Sequence, residues 1–167
     1  MQVPTHTRTA GFTLVEMTIA TALSVLFLSS LFTMNVTSMD TIRCAKESVS
    51  ASQALQQRIE SMRIANWQEI TDPDWISANL LNANAPGSGQ LRNLSETLTL
   101  VPYGSSNVGN TQLVRAGNAT TIVSRNPALL TENAIKVIWT VNYNGAPNDR
   151  ANSRLIVAIL AKGGVAK

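Results

Sequence analysis

The sequence predicts an α+β fold, in which a long N-terminal helix, half of it in a membrane, packs on a C-terminal antiparallel β-sheet head. Three observations predict it. Residues 12–36 are almost wholly apolar, residues 37–70 have the spacing of an amphipathic helix, and residues 71–167 alternate between turn clusters and β-branched runs. A chain of 167 residues leaves room for one head domain once the membrane segment is set aside.

Composition argues against several classes of function. The 13 basic residues are scattered, whereas a nucleic-acid site needs a basic patch or stripe. The one histidine, His6, precedes the apolar run, and the one cysteine, Cys44, cannot form an intrachain disulfide. A chain that loses its first eleven residues therefore has no Ser-His-Asp triad, Cys-His pair or histidine-containing metal site. We expect no enzyme, no metal and no cofactor.

Residues 12–36 form the candidate membrane helix. The run contains no glycine, no proline and a single charged residue, Glu16. As a helix, about 25 residues reach roughly 38 Å, which is enough to cross a hydrocarbon core of about 30 Å. The run is too long for the apolar part of a secretory signal, and no small-residue cleavage site follows it. A membrane-spanning helix is the better interpretation, with a plain anchor as the simplest form.

Glu16 argues against a plain anchor. A carboxylate within an apolar membrane helix costs about 3 kcal/mol on insertion scales, and such residues usually have a partner and a function. No basic side chain lies within a helical turn or two inside the segment. Cleavage between Gly11 and Phe12 would create a positive α-amine close to Glu16. In a packed bundle, the amine of one subunit could pair with Glu16 of the next.

Residues 11–16, Gly-Phe-Thr-Leu-Val-Glu, resemble the cleavage motif of type IV prepilins. In that family a short basic leader ends in glycine, phenylalanine usually follows, and glutamate is the fifth residue of the mature chain. The resemblance implies that prepilin peptidase cuts between Gly11 and Phe12 and N-methylates Phe12. It also implies that Glu16 acts in assembly and that residues 1–11, with Arg8, are a cytoplasmic leader.

The same resemblance implies a pilin fold and a role as a structural subunit of a type IV pilus or type II secretion-like filament. The implied partners are other pilin or pseudopilin subunits, prepilin peptidase, an inner-membrane assembly platform and, before assembly, membrane lipid. The chain would cross the bacterial inner membrane once, with a periplasmic or extracellular head. Major pilins often have a disulfide loop and a proline in the membrane helix; their absence here favours a minor pilin or pseudopilin.

Two alternatives stay open. One is a DNA-uptake pilin whose head binds nucleic acid, and the other is an uncleaved single-pass membrane protein with a binding head.

Residues 37–70 are predicted to continue the helix as an amphipathic stalk that ends before Thr71-Asp72-Pro73-Asp74. Its apolar stripe is expected to face the head and to comprise Ile42, Ala45, Val49, Ser52, Leu55, Ile59 and Met62. The solvent side is expected to carry Arg43, Lys46, Glu47, Gln56, Gln57, Arg58 and Glu60. Cys44, near the stripe, is expected to be a small buried side chain.

Five strands are predicted in residues 71–167, at 96–101, 112–115, 120–123, 134–141 and 154–160. The fourth strand alternates and should bury Ile135, Val137, Trp139 and Val141 on one face. The last two strands should form a hairpin joined by residues 142–153. Within it, residues 142–149 offer oxygen ligands, but only Asp149 is charged, which favours a solvated turn over a calcium loop. Trp67, Trp75 and Trp139 are expected to pack in the core or between helix and head.

Overall fold

The computed structural model describes residues 11–104 and 109–163 and shows the predicted α+β fold class. The chain divides into two compact units, residues 1–41 and 42–167. Within the described part of the first unit, Gly11–Thr13 are non-helical and helix α1 (Leu14–Ile64) begins. The second unit contains the rest of α1, packed on an antiparallel sheet.

The described residues of the second unit form five strands, all paired antiparallel in the order β3-β2-β1-β4-β5. They are β1 (Arg92–Pro102), β2 (Thr111–Ala116), β3 (Ala119–Ser124), β4 (Ala134–Gly145) and β5 (Arg150–Ala161). Short helical segments connect α1 to the sheet: α2 (Trp67–Thr71), α3 (Pro73–Trp75), a π-helical turn (Ile76–Leu80) and a 3₁₀ turn (Ser88–Gln90). A further 3₁₀ turn (Pro127–Thr131) precedes β4. All five predicted strands are confirmed.

The core lies between one face of the sheet and the second part of α1. Strand β4 alternates strictly, so that Ile135, Val137, Trp139 and Val141 are buried, as predicted. The helix contributes four buried apolar side chains to the same cluster, Ala51, Leu55, Ile59 and Met62. Each fully buried large apolar side chain stabilises the fold by about 2 kcal/mol. This packing holds the helix on the sheet.

The predicted apolar stripe of the helix is only partly correct. Three of its seven members are buried: Leu55, Ile59 and Met62. Ala45 is exposed, Ser52 is half-buried, and Ile42 and Val49 are 54% and 55% exposed. The buried face includes Glu47 and Arg58, which were predicted to face solvent. Both have polar partners in the head, and these hydrogen bonds offset the cost of burying the two charged side chains. The face of α1 that packs on the sheet is therefore rotated away from the predicted apolar stripe.

Helix α1 ends at Ile64, six residues before the predicted end at Ile70. The break occurs at Asn66, whose backbone is extended (φ −70°, ψ 157°). The Asn66 N–H donates to Glu69 Oε2 at 2.8 Å, which fixes the start of α2 at Trp67. The predicted break at residues 71–74 is also present, because the Asp72 side chain accepts from the Asp74 N–H and begins α3.

Three smaller predictions have different outcomes. Cys44 is exposed, so the prediction of a buried thiol is wrong. The tryptophan prediction is confirmed, because Trp139 is fully buried, and Trp67 and Trp75 pack against the core from its margin. The predicted hairpin is present, but its strands extend further than expected, and its turn is only residues 146–149.

Candidate functional site

The predicted cleavage site lies in non-helical chain. Gly11 and Phe12 precede the first residue of α1, Leu14, and both are exposed, Phe12 by 83%. Exposed chain outside regular structure is where proteases act most readily, because the substrate must fit the enzyme in an extended form. Residues 1–10 of the predicted leader lie outside the described residues. The geometry around the Gly11–Phe12 bond therefore allows cleavage.

Glu16 forms a hydrogen-bonded pair with Thr13 at the start of α1. The Thr13 N–H donates to Glu16 Oε2 at 2.9 Å, and the Thr13 hydroxyl donates to the same oxygen at 3.2 Å. In return, the Glu16 N–H donates to Thr13 Oγ1 at 3.3 Å. This reciprocal arrangement is a capping box, which satisfies two backbone donors that the first turn of a helix leaves free.

The capping box gives Glu16 a local role that our sequence analysis missed. The signal was present, because a threonine followed three residues later by glutamate before an apolar run is typical of a capping box. The carboxylate also lies near the positive end of the helix dipole. Even so, a hydrogen bond from an N–H or a hydroxyl leaves the negative charge in place. No described basic side chain forms an ion pair with Glu16.

In the described chain, α1 is the one helix long and apolar enough to cross a membrane. Its most apolar window has a mean hydropathy of 1.8 and buries none of its residues within the chain. The large apolar side chains between Leu14 and Met39 are all exposed, by 41% to 84%. Exposed apolar surface on this scale needs an apolar surrounding, which is lipid or other protein. The chain is consistent with a single-pass membrane protein.

Most hydroxyl groups of this segment bond to the helix itself. Eight side chains donate to a carbonyl three or four residues earlier: Thr18, Thr21, Ser24, Ser30, Thr33, Thr37, Ser38 and Thr41. A hydroxyl without a partner in hydrocarbon costs several kcal/mol, on the order of 4 in alkane-like surroundings. Because each of these eight donors is satisfied locally, these hydroxyl groups do not prevent the segment from lying in lipid.

A buried charge cluster joins the helix to the sheet in the head. Arg58 of α1 donates to both carboxylate oxygens of Glu96 on β1, from Nε to Oε2 at 3.0 Å and from Nη2 to Oε1 at 2.9 Å. Arg115 of β2 approaches Glu96 Oε1 at 3.4 Å and donates to Asn84 Oδ1 at 2.6 Å. Arg58 also donates to the carbonyl oxygens of Leu80 and, at 2.7 Å, Ala83.

This cluster has a structural role, because it connects separate parts of the fold. Its three charged side chains come from α1, β1 and β2, and its carbonyl acceptors come from the segment between α3 and β1. The Arg58 guanidinium also lies 5.8 Å from the centroid of the Trp139 ring. The two cations and one anion are all buried, so the cluster is not a surface for a charged ligand. Its contacts hold the helix, the sheet and the intervening segment together.

Three other arginines have acidic partners, one on α1 and two in the head. Arg63 pairs with Glu60, Arg92 with Asp149, and Arg125 with Asp74 in a two-point contact. The hydrogen bond from Arg125 lowers the pKa of Asp74 below its usual value, and the hydrogen bond to Asp74 raises the pKa of Arg125. This pairing reduces the positive potential that would attract nucleic acid. Among the described residues no three His, Cys, Asp or Glu side chains are grouped as metal ligands.

Comparison of the chain with protein-family models, with curated proteins and with solved structures found no match.

Proposed function

We propose that this chain is a type IV pilin-like subunit, a minor pilin or pseudopilin of a pilus or type II secretion-like filament. In this proposal prepilin peptidase cuts between Gly11 and Phe12 and methylates the new amine of Phe12. The apolar part of α1 stays in the inner membrane until an assembly platform transfers it into a bundle of like helices. The head is periplasmic or extracellular.

One observation carries the proposal: a single carboxylate, Glu16, lies at the start of the apolar part of α1, and the most apolar window of that part buries none of its residues within the chain. Its position is five residues after a glycine in exposed, non-helical chain. A plain anchor needs no charge there. A filament of like helices needs both features, because the apolar side chains supply the packing and the glutamate can meet the neighbour's new cationic terminus.

The capping box offers a competing explanation for Glu16, and two substitutions distinguish a helix cap from a charge that acts in assembly. Glu16→Gln keeps a side chain that can accept at this capping position but removes the charge. Thr13→Val removes the capping hydroxyl but keeps the charge. If the charge acts in assembly, Glu16→Gln should lower the amount of subunit in sheared filaments at least tenfold, while Thr13→Val should lower it less than twofold.

The subunit can be quantified by mass spectrometry in the filament and membrane fractions of the native host. Both variants should remain in the membrane fraction at the normal level, because neither changes the apolar run. If Thr13→Val stops filament incorporation and Glu16→Gln does not, Glu16 serves as a helix cap and the assembly role is wrong.

The main alternative is an uncleaved single-pass membrane protein. It predicts an intact N-terminus, whereas the pilin proposal predicts a chain that begins at Phe12 and carries an N-methyl group. Mass spectrometry of the N-terminal peptide from the native membrane decides between them.

A DNA-uptake pilin predicts salt-dependent binding of DNA by the chain. Among the residues that the structure describes nothing favours it, since Arg58 and Arg115 are buried and Arg63, Arg92 and Arg125 are paired.

A further inference from the structure

Strand β5 is an edge of the sheet. It pairs with β4 over its whole length, from Gly145↔Arg150 to Ala134↔Ala161, without a register shift. No described strand lies on its other side. Its outer edge therefore presents a row of free backbone N–H and C=O groups, which are the natural binding site for another extended chain.

The second half of β5 lacks the features that usually protect an edge strand. Residues 155–161 are Leu-Ile-Val-Ala-Ile-Leu-Ala, with no charge, no proline and no bulge. Proteins commonly discourage pairing at an edge with those features or with a very short strand. The opposite edge, β3, is half as long, with 6 residues against 12 in β5. Because β5 is the longer edge strand and its second half is unprotected, we infer that β5 is the edge that can accept another strand.

Three apolar side chains of β5 project from the face of the sheet opposite the core. Leu155, Val157 and Ile159 are 59%, 52% and 55% exposed, while the alternate residue Leu160 is buried. Val157 lies directly opposite Ile138 of β4, which continues the apolar surface inward. These side chains lie outside the membrane helix. They would gain from contact with apolar side chains on an added strand.

The sequence of β5 is self-complementary in an antiparallel arrangement centred on Val157. In that register Val157 faces itself, Leu155 faces the second copy's Ile159, and Arg154 faces the second copy's Leu160. No two positive charges then face each other. A parallel arrangement in register would instead place Arg154 beside the second copy's Arg154, which is destabilising. The charge of Arg154 therefore favours the antiparallel arrangement.

We propose that β5 is a self-association surface, where a second copy of this chain adds its own β5 antiparallel, with Val157 at the centre. The two-fold axis is perpendicular to the sheet, so the two heads share a continuous sheet of ten strands. The pairing does not rest on the filament proposal, because it uses neither the apolar part of α1 nor Glu16. The two-fold axis reverses the part of α1 that packs on the sheet, so the contact joins chains that point in opposite directions and not neighbours within one filament.

The first test measures association of the full-length chain in detergent by sedimentation at increasing concentration. The wild-type chain should show a monomer–dimer equilibrium. Val157→Lys should raise the dissociation constant at least tenfold, because two ammonium groups would face each other at the centre. The matched control is Val123→Lys on β3, since Val123 is 58% exposed on the other edge strand. That variant should associate like wild type.

The second test locates the contact by disulfide trapping in a Cys44→Ser background. Facing Cα atoms in an antiparallel pair are about 4.5–5.5 Å apart, within the range that a disulfide spans. Val157→Cys should form a covalent dimer on mild oxidation, and Val123→Cys should not. A chain that stays monomeric, a dimer that Val157→Lys leaves intact, or equal trapping at both positions would overturn the proposal. Thermal unfolding of each variant shows that the fold is retained.

Discussion

Arg58 and Glu96 form a two-point ion pair between α1 and β1, with side chains only 8% and 0% exposed. Removing two charges from water costs several kcal/mol each, on the order of the attraction that the pair regains. The pair is therefore not a large net source of stability. What it provides is specificity: a helix rotated by one position would leave a carboxylate buried without its partner.

Arg58→Ala should lower the free energy of unfolding of the head by about 3 kcal/mol, because it leaves Glu96 with one cation, Arg115 at 3.4 Å, and leaves two carbonyl groups without their donor. Urea unfolding in detergent, followed by tryptophan fluorescence, measures the change. The matched control is Arg63→Ala on the same helix, whose exposed pair with Glu60 should be worth less than about 1 kcal/mol. Equal costs for the two substitutions would contradict a special role for the buried pair.

The Asp74–Arg125 pair should make the head more sensitive to acid. Arg125 lowers the pKa of Asp74 in the folded chain, so the pair stabilises the fold above the usual pKa of 3.8. That contribution is lost as the pH falls through the lowered value. Asp74→Asn should therefore lower the unfolding temperature at pH 7, and the difference from wild type should shrink as the pH falls below 3.8. A difference that does not shrink with falling pH would show that Asp74 acts through another contact.

Gly145→Ala should destabilise the β4–β5 hairpin by about 1–2 kcal/mol, the cost of one or two hydrogen bonds. An added methyl group would meet Asn152 Nδ2 and would lie 2.8 Å from Glu47 Oε2. Glu47 accepts a hydrogen bond from the Ala146 N–H at 2.9 Å and would have to move. Gly89→Ala is the control, since nothing lies within 4 Å of its added methyl. Thermal unfolding should show a lower midpoint for Gly145→Ala alone.

Cys44 should react with a maleimide in the folded chain, because its side chain is exposed. In membranes a charged, impermeant maleimide should reach it from the side of the head only, since Cys44 follows the predicted span of residues 12–36. Ser30→Cys in a Cys44→Ser background should be shielded by lipid until detergent is added. Intact-mass measurement counts the label, and rapid labelling at position 30 in sealed membranes would argue against the span.

The strands could be predicted because the local sequence marks them, as β-branched runs between clusters of turn residues. In β4, alternation at Ile135, Val137, Trp139 and Val141 is enough to fix both the strand and its buried face. The buried side of α1 could not be predicted in the same way. Ile42 and Val49 are as apolar as the residues that are buried, and Glu47 and Arg58 are charged. Only the partners in the head decide which group is buried.

The candidate site could be predicted in part. Glu16 stands out because a charge in an apolar run is costly and rare, whereas Gly11 and Phe12 were singled out only by the resemblance of residues 11–16 to the prepilin motif. The bond from Thr13 to Glu16 was readable from their spacing. The Arg58–Glu96–Arg115 cluster was not, because residues 19 and 38 positions apart are brought together only when the sheet forms.

The self-bonded hydroxyls of the apolar segment have a thermodynamic consequence. A side chain whose donor is already engaged by a carbonyl of its own helix has no hydrogen bond to exchange when its neighbours change. When the helix moves between fatty-acid tails and other protein, these eight residues therefore trade only dispersion contacts, which are similar in strength on both sides. The balance between the two environments is then set by how closely the new neighbours fit and by three other polar groups, the Glu16 carboxylate, the Ser29 hydroxyl and the Asn35 amide.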